Sequence, residues 1–390
     1  MKIGIFSYRY PIETSVTIKG IASYIAEKND QCTIFIDQFY GPTGPNLNEV
    51  TVHILKPQWL IQSASWYSQL KRIFSVRIMR IIFIFFDIFI KKIEEIILLP
   101  KVRDQLNQYD CVYAMEVHSL SLLFKSGFDL AKVVYFSLES DQIISLYNRR
   151  YVARLLEQCY SCVIQSKERG DDLKKKLNIE VNFQYLPVSL RPVKVMKNSR
   201  AETGQPLKIV YSGFFSEWSC LREFLTQVEY TDLLGKSKIA LQGHAMGTEK
   251  YLAELISKFG KHENITINSE FINDSEFLRF LNDFDVGLAF YNGDEELANW
   301  KNLLYASGKI ACYLWAGLSV MTNIDTEETK RAPFIFIEDF SSETIENRLH
   351  EYSKSSVDYQ VAAIEFAQRY YNLDRFMDRI FADSRKVFSG

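Results

Sequence analysis

The chain has 390 residues, of which 47% are hydrophobic and 24% charged, and its formal net charge is −2. That length suits two domains rather than one core, and the composition excludes a disordered or fibrous chain. The charge provides no basic field to draw the protein to nucleic acid, and the 28 Phe and 22 Tyr are scattered among apolar runs as core packing requires.

The opening "KIGIFSY" reads as a strand, Ile18 to Glu27 as a helix and "CTIFID" (32–37) as a second strand, a βαβ unit that implies a parallel sheet. "MKIGIFSYRY" lacks the basic start and apolar core of a secretion signal, so the expected location is cytoplasmic. Six Cys sit mostly inside apolar segments, as buried free thiols do in a reducing compartment. Cys159 and Cys162 form a CxxC with no second pair or nearby His to complete a metal site.

Residues 73–99 are the most apolar segment, with Arg77, Arg80, Asp87 and Lys91 on one narrow stripe at helical spacing. The uninterrupted apolar core, Ile81 to Phe86, is too short to span a bilayer. Two readings stand: a largely buried helix of the first domain, or an interfacial helix with Lys71, Arg72, Arg77 and Arg80 near lipid headgroups.

"DCVYAM" (110–115), "KVVYFSL" (132–138) and "SCVIQS" (161–166) continue the strand series. "LPVSLRPVKVMKNSRAETGQP" (186–206) then loses periodicity and reads as a linker. After it come the strands "LKIVYSG", "KIALQG", "NITINSEF" and "DVGLAFY", alternating with helical patterns. The expected fold is α/β, with two Rossmann-like doubly wound parallel-sheet domains over 1–190 and 207–360, a linker at 191–206 and a C-terminal helix over 361–390 packing back towards the first domain. Such domains collect ligands at their strand C-termini, in a cleft where the two sets of strand ends face each other.

Residues 302–323, "NLLYASGKIACYLWAGLSVMTN", place Ser307, Gly308 and Lys309 at the start of an apolar helix. Helix N-termini offer free N–H groups and a favourable dipole to an anion; Ser307 adds an O–H donor, Gly308 close backbone approach and Lys309 a compact charge. Tyr291, Asn292 and Asp294 end the strand "DVGLAFY", and Asn299 and Asn302 lie in the loop that leads to Ser307.

The run "VYSGFFSEWSCLREFL", "IALQGHAMGTEKYLAEL", "ITINSEFINDSEFLRFLNDFDVGLAFY" and "NLLYASGKIACYLWAGLSVM" resembles the donor side of GT-B glycosyltransferases, the family 4-like group. The likeness spans 207–325. It implies transfer of a sugar from a nucleotide-sugar donor to a glycan or lipid-linked acceptor, with retention, without metal or other cofactor, in bacterial surface polysaccharide assembly at the cytoplasmic membrane face. The donor-binding residues it implies are Gly213, His244, Tyr291, Asn302, Ser307, Gly308 and Lys309. On the acceptor side Glu116, His118 and Glu139 follow first-domain strands, where a carboxylate can take a proton or stabilise an oxocarbenium-like transition state. Arg9 and the loop Glu13-Thr14-Ser15 follow the first strand.

On the donor side the sequence departs from the family at three places, and on the acceptor side the family's Gly-Gly loop is missing after the first strand. Cys312 replaces the Glu that holds the ribose, Ser319 replaces a Pro, and "FFSEWS" has no cation where the family carries one for the diphosphate; Arg222 and Lys301 are the substitutes in view. Asp283-Phe284-Asp285 spells DxD but precedes a strand, away from the strand C-termini, and reads as structural. Two rival functions remain: a nucleotide-sugar epimerase of the same fold, and a non-catalytic partner subunit.

Overall fold

The computed structural model describes residues 1–10, 15–28, 30–38, 50–58, 61, 77–138, 147–191, 206–229, 231, 233–245, 247–270, 272, 274–292 and 303–388. The chain divides into two compact units, Met1–Leu186 with Leu373–Gly390, and Pro187–Asn372.

The first unit alternates strands β1 (Lys2–Ser7), β2 (Gln31–Ile36), β3 (Thr51–Ile54), β4 (Cys111–Met115), β5 (Val133–Ser137), β6 (Ser161–Ile164) and β7 (Phe183–Tyr185) with helices. The helices are α1 (Val16–Glu27), α2 (Arg77–Leu106), α3 (Glu116–Lys125), α4 (Arg149–Gln158) and α5 (Lys167–Leu177). All seven strands pair in parallel, in the order β3-β2-β1-β4-β5-β6-β7. Ser15 caps α1 by accepting the Ile18 N–H at 3.3 Å, which satisfies an orphan donor of the first turn.

The apolar pattern of 73–99 becomes part of α2, which continues through Pro100 to Leu106. Proline removes one N–H from the ladder, but Leu98, Val102 and Leu106, four residues apart, are all buried in the core. Each such burial contributes about 1.5–3 kcal/mol, enough together to carry the helix past the proline. The side chains of Arg77, Arg80, Asp87 and Lys91 lie outside the described residues. Among the described residues no helix is long and apolar enough to cross a membrane.

The second unit has strands β8 (Leu207–Phe214), β9 (Ser237–His244), β10 (Ile265–Asn268), β11 (Val286–Ala289), β12 (Ser319–Thr322) and β13 (Phe334–Phe336). Its helices are α6 (Leu221–Glu229), α7 (Leu233–Lys236), α8 (Glu249–Phe259), α9 (Asp274–Leu281), α10 (Leu303–Ala306), α11 (Gly308–Trp315), α12 (Ser342–Lys354) and α13 (Ser356–Tyr370). The sheet is again parallel, in the order β10-β9-β8-β11-β12-β13. The amphipathic pattern from Val361 to Val387 is two helices, α13 and α14 (Leu373–Phe388), broken at Tyr371-Asn372. Tyr371 is buried, and its main chain is tied down: its carbonyl accepts the Trp315 indole N–H at 3.2 Å and the Leu190 N–H at 3.2 Å. Helix α14 belongs to the first unit, where Tyr24 donates its O–H to Asp378 at 2.5 Å.

In each sheet the chain winds outward one way from its first strand and then reverses. The reversal points lie between β1 and β4 and between β8 and β11. Adjacent crossover connections part there, which opens a crevice at the strand C-termini.

Candidate functional site

In the second unit, β8 and β11 are held at their reversal point by one helix. Tyr313 on α11 accepts the Ser212 N–H at 2.6 Å and donates to the Leu288 carbonyl at 3.4 Å. Its ring lies so close to β11 that any Cβ on Gly287 would overlap it. This fixes where α11 begins, and so where Ser307, Gly308 and Lys309 stand.

Ser307 is the N-cap of α11, and its Oγ accepts from the Ile310 N–H at 3.5 Å and from the Tyr291 O–H at 2.5 Å. Tyr291 is itself clamped: its N–H donates to Asn323 Oδ1 at 3.0 Å and its carbonyl accepts from Asn323 Nδ2 at 2.8 Å. With both lone pairs of Ser307 so engaged, the hydroxyl proton of this buried residue is left to donate.

Lys309 reaches from the first turn of α11 to the loop after β8. Its Nζ stands 4.6 Å from the ring centre of Tyr211, 5.0 Å from that of Tyr291 and 5.8 Å from that of Trp218. Gly213, at φ +155°, lies beside it: a Cβ there would press on the Tyr211 hydroxyl at 3.2 Å and touch Lys309 Cε at 3.6 Å, an ordinary contact. Desolvation among these rings brings the ammonium down to about 7, and Cys220 pulls the other way. Among the described residues no carboxylate pairs with Lys309. The rings stabilise the cation through their negative faces, but a phosphate would do so far better. The aromatic trio thus stores a cation in the crevice where "FFSEWS" supplies none.

His244 ends β9, one strand over, in register with Phe214. Its ring packs edge-on against Phe214 at 5.3 Å, and burial lowers its pKa. Gly243 beside it is dictated by packing, because a Cβ would overlap the Gly213 carbonyl oxygen. Gly308 is different: a Cβ there would meet only Val188 Cγ1, at 3.7 Å. Cys312 is buried within α11. Arg222 pairs with Glu254 at 3.2 Å and with Glu223 at 3.4 Å. Asp285 accepts the Lys208 N–H at 2.9 Å, at the start of β8 rather than its C-terminal end. Asp294, Asn299, Lys301 and Asn302 lie outside the described residues.

In the first unit the residues that follow β1 and β4 are strained. Arg9 has φ +60° and Glu116 φ +63°, the left-handed region that costs a side-chain-bearing residue about 1–3 kcal/mol. Glu116 is buried, and its Oε1 accepts the Leu138 N–H at 2.5 Å, which fastens the end of β5 to that of β4. His118, two residues on, turns to another partner: its Nδ1 lies 2.7 Å from the Tyr147 hydroxyl. Glu139, Asp141, Glu13 and Thr14 lie outside the described residues.

Beside Arg9 is a charge cluster that the sequence did not disclose. Lys56 bridges Asp37 at 3.0 Å and Glu94 at 2.8 Å. Arg9 Nη2 lies 3.6 Å from Glu94, and Tyr8 donates to Glu94 at 3.2 Å. Two cations and two carboxylates balance, so the cluster is a neutral polar floor at the ends of β1, β2 and β3. Sequence reading also missed Tyr211, Trp218 and Asn323; an aromatic residue in the loop after the unit's first strand was the available signal.

No protein-family model matches the sequence, and no curated protein matches it. Solved structures do. A trehalose-6-phosphate protein from E. coli, bound with UDP-2-fluoro glucose, aligns over 99% of both chains with a TM-score of 0.65 and 11% identity. An α,α-trehalose 6-phosphate synthase from Burkholderia multivorans aligns over 99% of this chain and 98% of its own, at 0.65 and 11%. A glycosyltransferase from Rickettsia africae aligns over 99% and 98%, at 0.60 and 12%. Identities this low speak for the fold: two parallel-sheet, Rossmann-like units, the architecture of the GT-B glycosyltransferases.

Proposed function

We propose that the chain is a glycosyltransferase that moves a sugar from a nucleotide-sugar donor to a glycan or lipid-linked acceptor. One observation carries the reading: the half-buried ammonium of Lys309, with no carboxylate partner among the described residues, at the reversal point of the second sheet. With the Ser307 hydroxyl and the first turn of α11, it forms a site for the phosphate that departs from the sugar. In the reaction the acceptor oxygen bonds to the anomeric carbon, the bond from that carbon to the phosphate oxygen breaks with its electron pair going to the phosphate, and a carboxylate of the acceptor side takes the acceptor proton. Charge then grows on the phosphate, where a fixed donor set stabilises it most.

The acceptor side belongs to the first unit, with the cluster around Arg9 as its polar floor. Glu116 is a positioning residue in this reading, because Oε1 is committed to Leu138. His118 and Glu139 stay assigned to the acceptor or the transferred sugar on the resemblance alone. Retention, metal independence and a role in bacterial surface polysaccharide assembly rest on the same resemblance. Peripheral contact with the cytoplasmic membrane face is favoured by Phe89 and Ile96, seven residues apart on α2 and 58% and 68% exposed.

The test is a thermal-shift screen with UDP-, GDP-, CMP- and dTDP-linked sugars on the wild type and on Lys309→Met. A ligand that raises the melting temperature of the wild type alone supports the site. If no nucleotide sugar shifts the wild type, the reading fails. Incubating the binding donor without acceptor separates the rivals: an epimerase yields a new sugar nucleotide, a transferase at most slow hydrolysis.

A further inference from the structure

Trp218 is 45% exposed, although the residues around it, Ser216, Ser219, Cys220 and Tyr291, are buried. The main chain holds it firmly. It sits in the single 3-10 turn Glu217–Ser219 after β8, where Ser219 Oγ donates to the Ser216 carbonyl at 2.6 Å. The Asn292 N–H reaches the Trp218 carbonyl at 2.7 Å, and Cys220, at φ +50°, closes the turn. The Tyr291 ring lies 5.3 Å from the indole at 48°, and the Lys309 ammonium lies 5.8 Å from it. Nearly half of the residue's surface faces water. Apolar area fixed in water forgoes about 25 cal/mol per Å² that burial would supply, and no contact of this turn among the described residues requires it.

We propose that Trp218 is the platform for the sugar ring joined to the donor's phosphate, and so makes the site prefer a glycosylated nucleotide to the free nucleotide. The inference rests on Lys309 as the phosphate anchor. A phosphate oxygen bonded to Lys309 stands about 3 Å from Nζ, which brings the phosphate beside the indole. The ring one bridging oxygen away is the transferred sugar, whereas the base is separated from its nearest phosphate by the whole ribose. A pyranose presents a face of C–H groups with slight positive character, which suits the negative face of an indole.

Binding is measured by calorimetry for the pairs UDP and UDP-glucose, GDP and GDP-mannose, dTDP and dTDP-glucose, and CMP and CMP-N-acetylneuraminate. For the pair that the wild type binds, Trp218→Ala is expected to weaken the nucleotide sugar about tenfold, or 1.4 kcal/mol. It should leave the free nucleotide within about twofold. Trp218→Phe, with a similar melting temperature, should retain most of the sugar nucleotide's affinity. Equal loss of both compounds would assign the indole to the nucleotide and overturn the proposal, and so would no loss of either. Lys309→Met separates this result from the anion site, since it should weaken both members of the pair. If the wild type binds no compound of any pair, the anion site fails and the platform with it.

Discussion

Tyr291 donates its phenolic proton to Ser307 Oγ at 2.5 Å, joining the end of β11 to the N-cap of α11. Both residues are buried, so the bond has no water to replace it. Tyr291→Phe keeps the ring beside Lys309 and removes only the hydroxyl. It should cost about 1 kcal/mol in urea unfolding, and Ser307→Ala a similar amount through the lost cap. The double variant should lose less than the sum, because the two share one bond.

Lys309 gives stability a pH dependence whose sign follows from the direction of its shift. Its folded pKa, about 7, lies below the ordinary lysine value of 10.5. Between these values the unfolded chain binds more protons, so this group makes stability rise with pH. Below about 7 the charge is carried at full cost. Lys309→Met should therefore stabilise the protein more at pH 6 than at pH 9, as read by denaturant midpoints. Anion binding runs the opposite way: affinity should fall as pH climbs through 7 in the wild type. A flat affinity profile between pH 6 and 9 would argue that no anion meets Lys309.

Gly243 and Gly308 should respond differently to alanine. At Gly243 the new methyl would overlap the Gly213 carbonyl, so the backbone must shift, and a loss of about 1–3 kcal/mol is expected. At Gly308 the methyl meets only Val188 at 3.7 Å, and alanine is the better helix former by up to about 1 kcal/mol. If phosphate approaches the start of α11, Gly308→Ala should weaken nucleotide binding severalfold without loss of stability. Calorimetry beside thermal unfolding separates the two effects.

Glu116→Ala strands the Leu138 N–H in a buried place, which should cost about 1–3 kcal/mol. Glu116→Gln keeps an acceptor oxygen and should recover most of that loss. Unfolding midpoints of the two variants check it. Equal midpoints would mean that the bond to Leu138 contributes little.

The two α/β units are legible in the order of residues alone. Short continuous apolar runs alternating with helical patterns permit little else, and the strands near Lys2, Cys111, Leu207 and Val286 follow from that pattern alone. Residue order also placed Ser307, Gly308 and Lys309 at a helix start, because Ser before a Gly and an apolar run is a local capping signal. The surroundings of Lys309 come from folding. Tyr211, Trp218 and Tyr291 lie between 18 and 98 positions away in the sequence, and only the parallel pairing of β8 with β11 brings their rings to one ammonium. The reach of α2 past Pro100 and the break at Tyr371 were likewise set by burial against distant residues, which overrides local propensity. Local chemistry is written along the chain. Desolvation is not, because it depends on which side chains exclude water from a given atom.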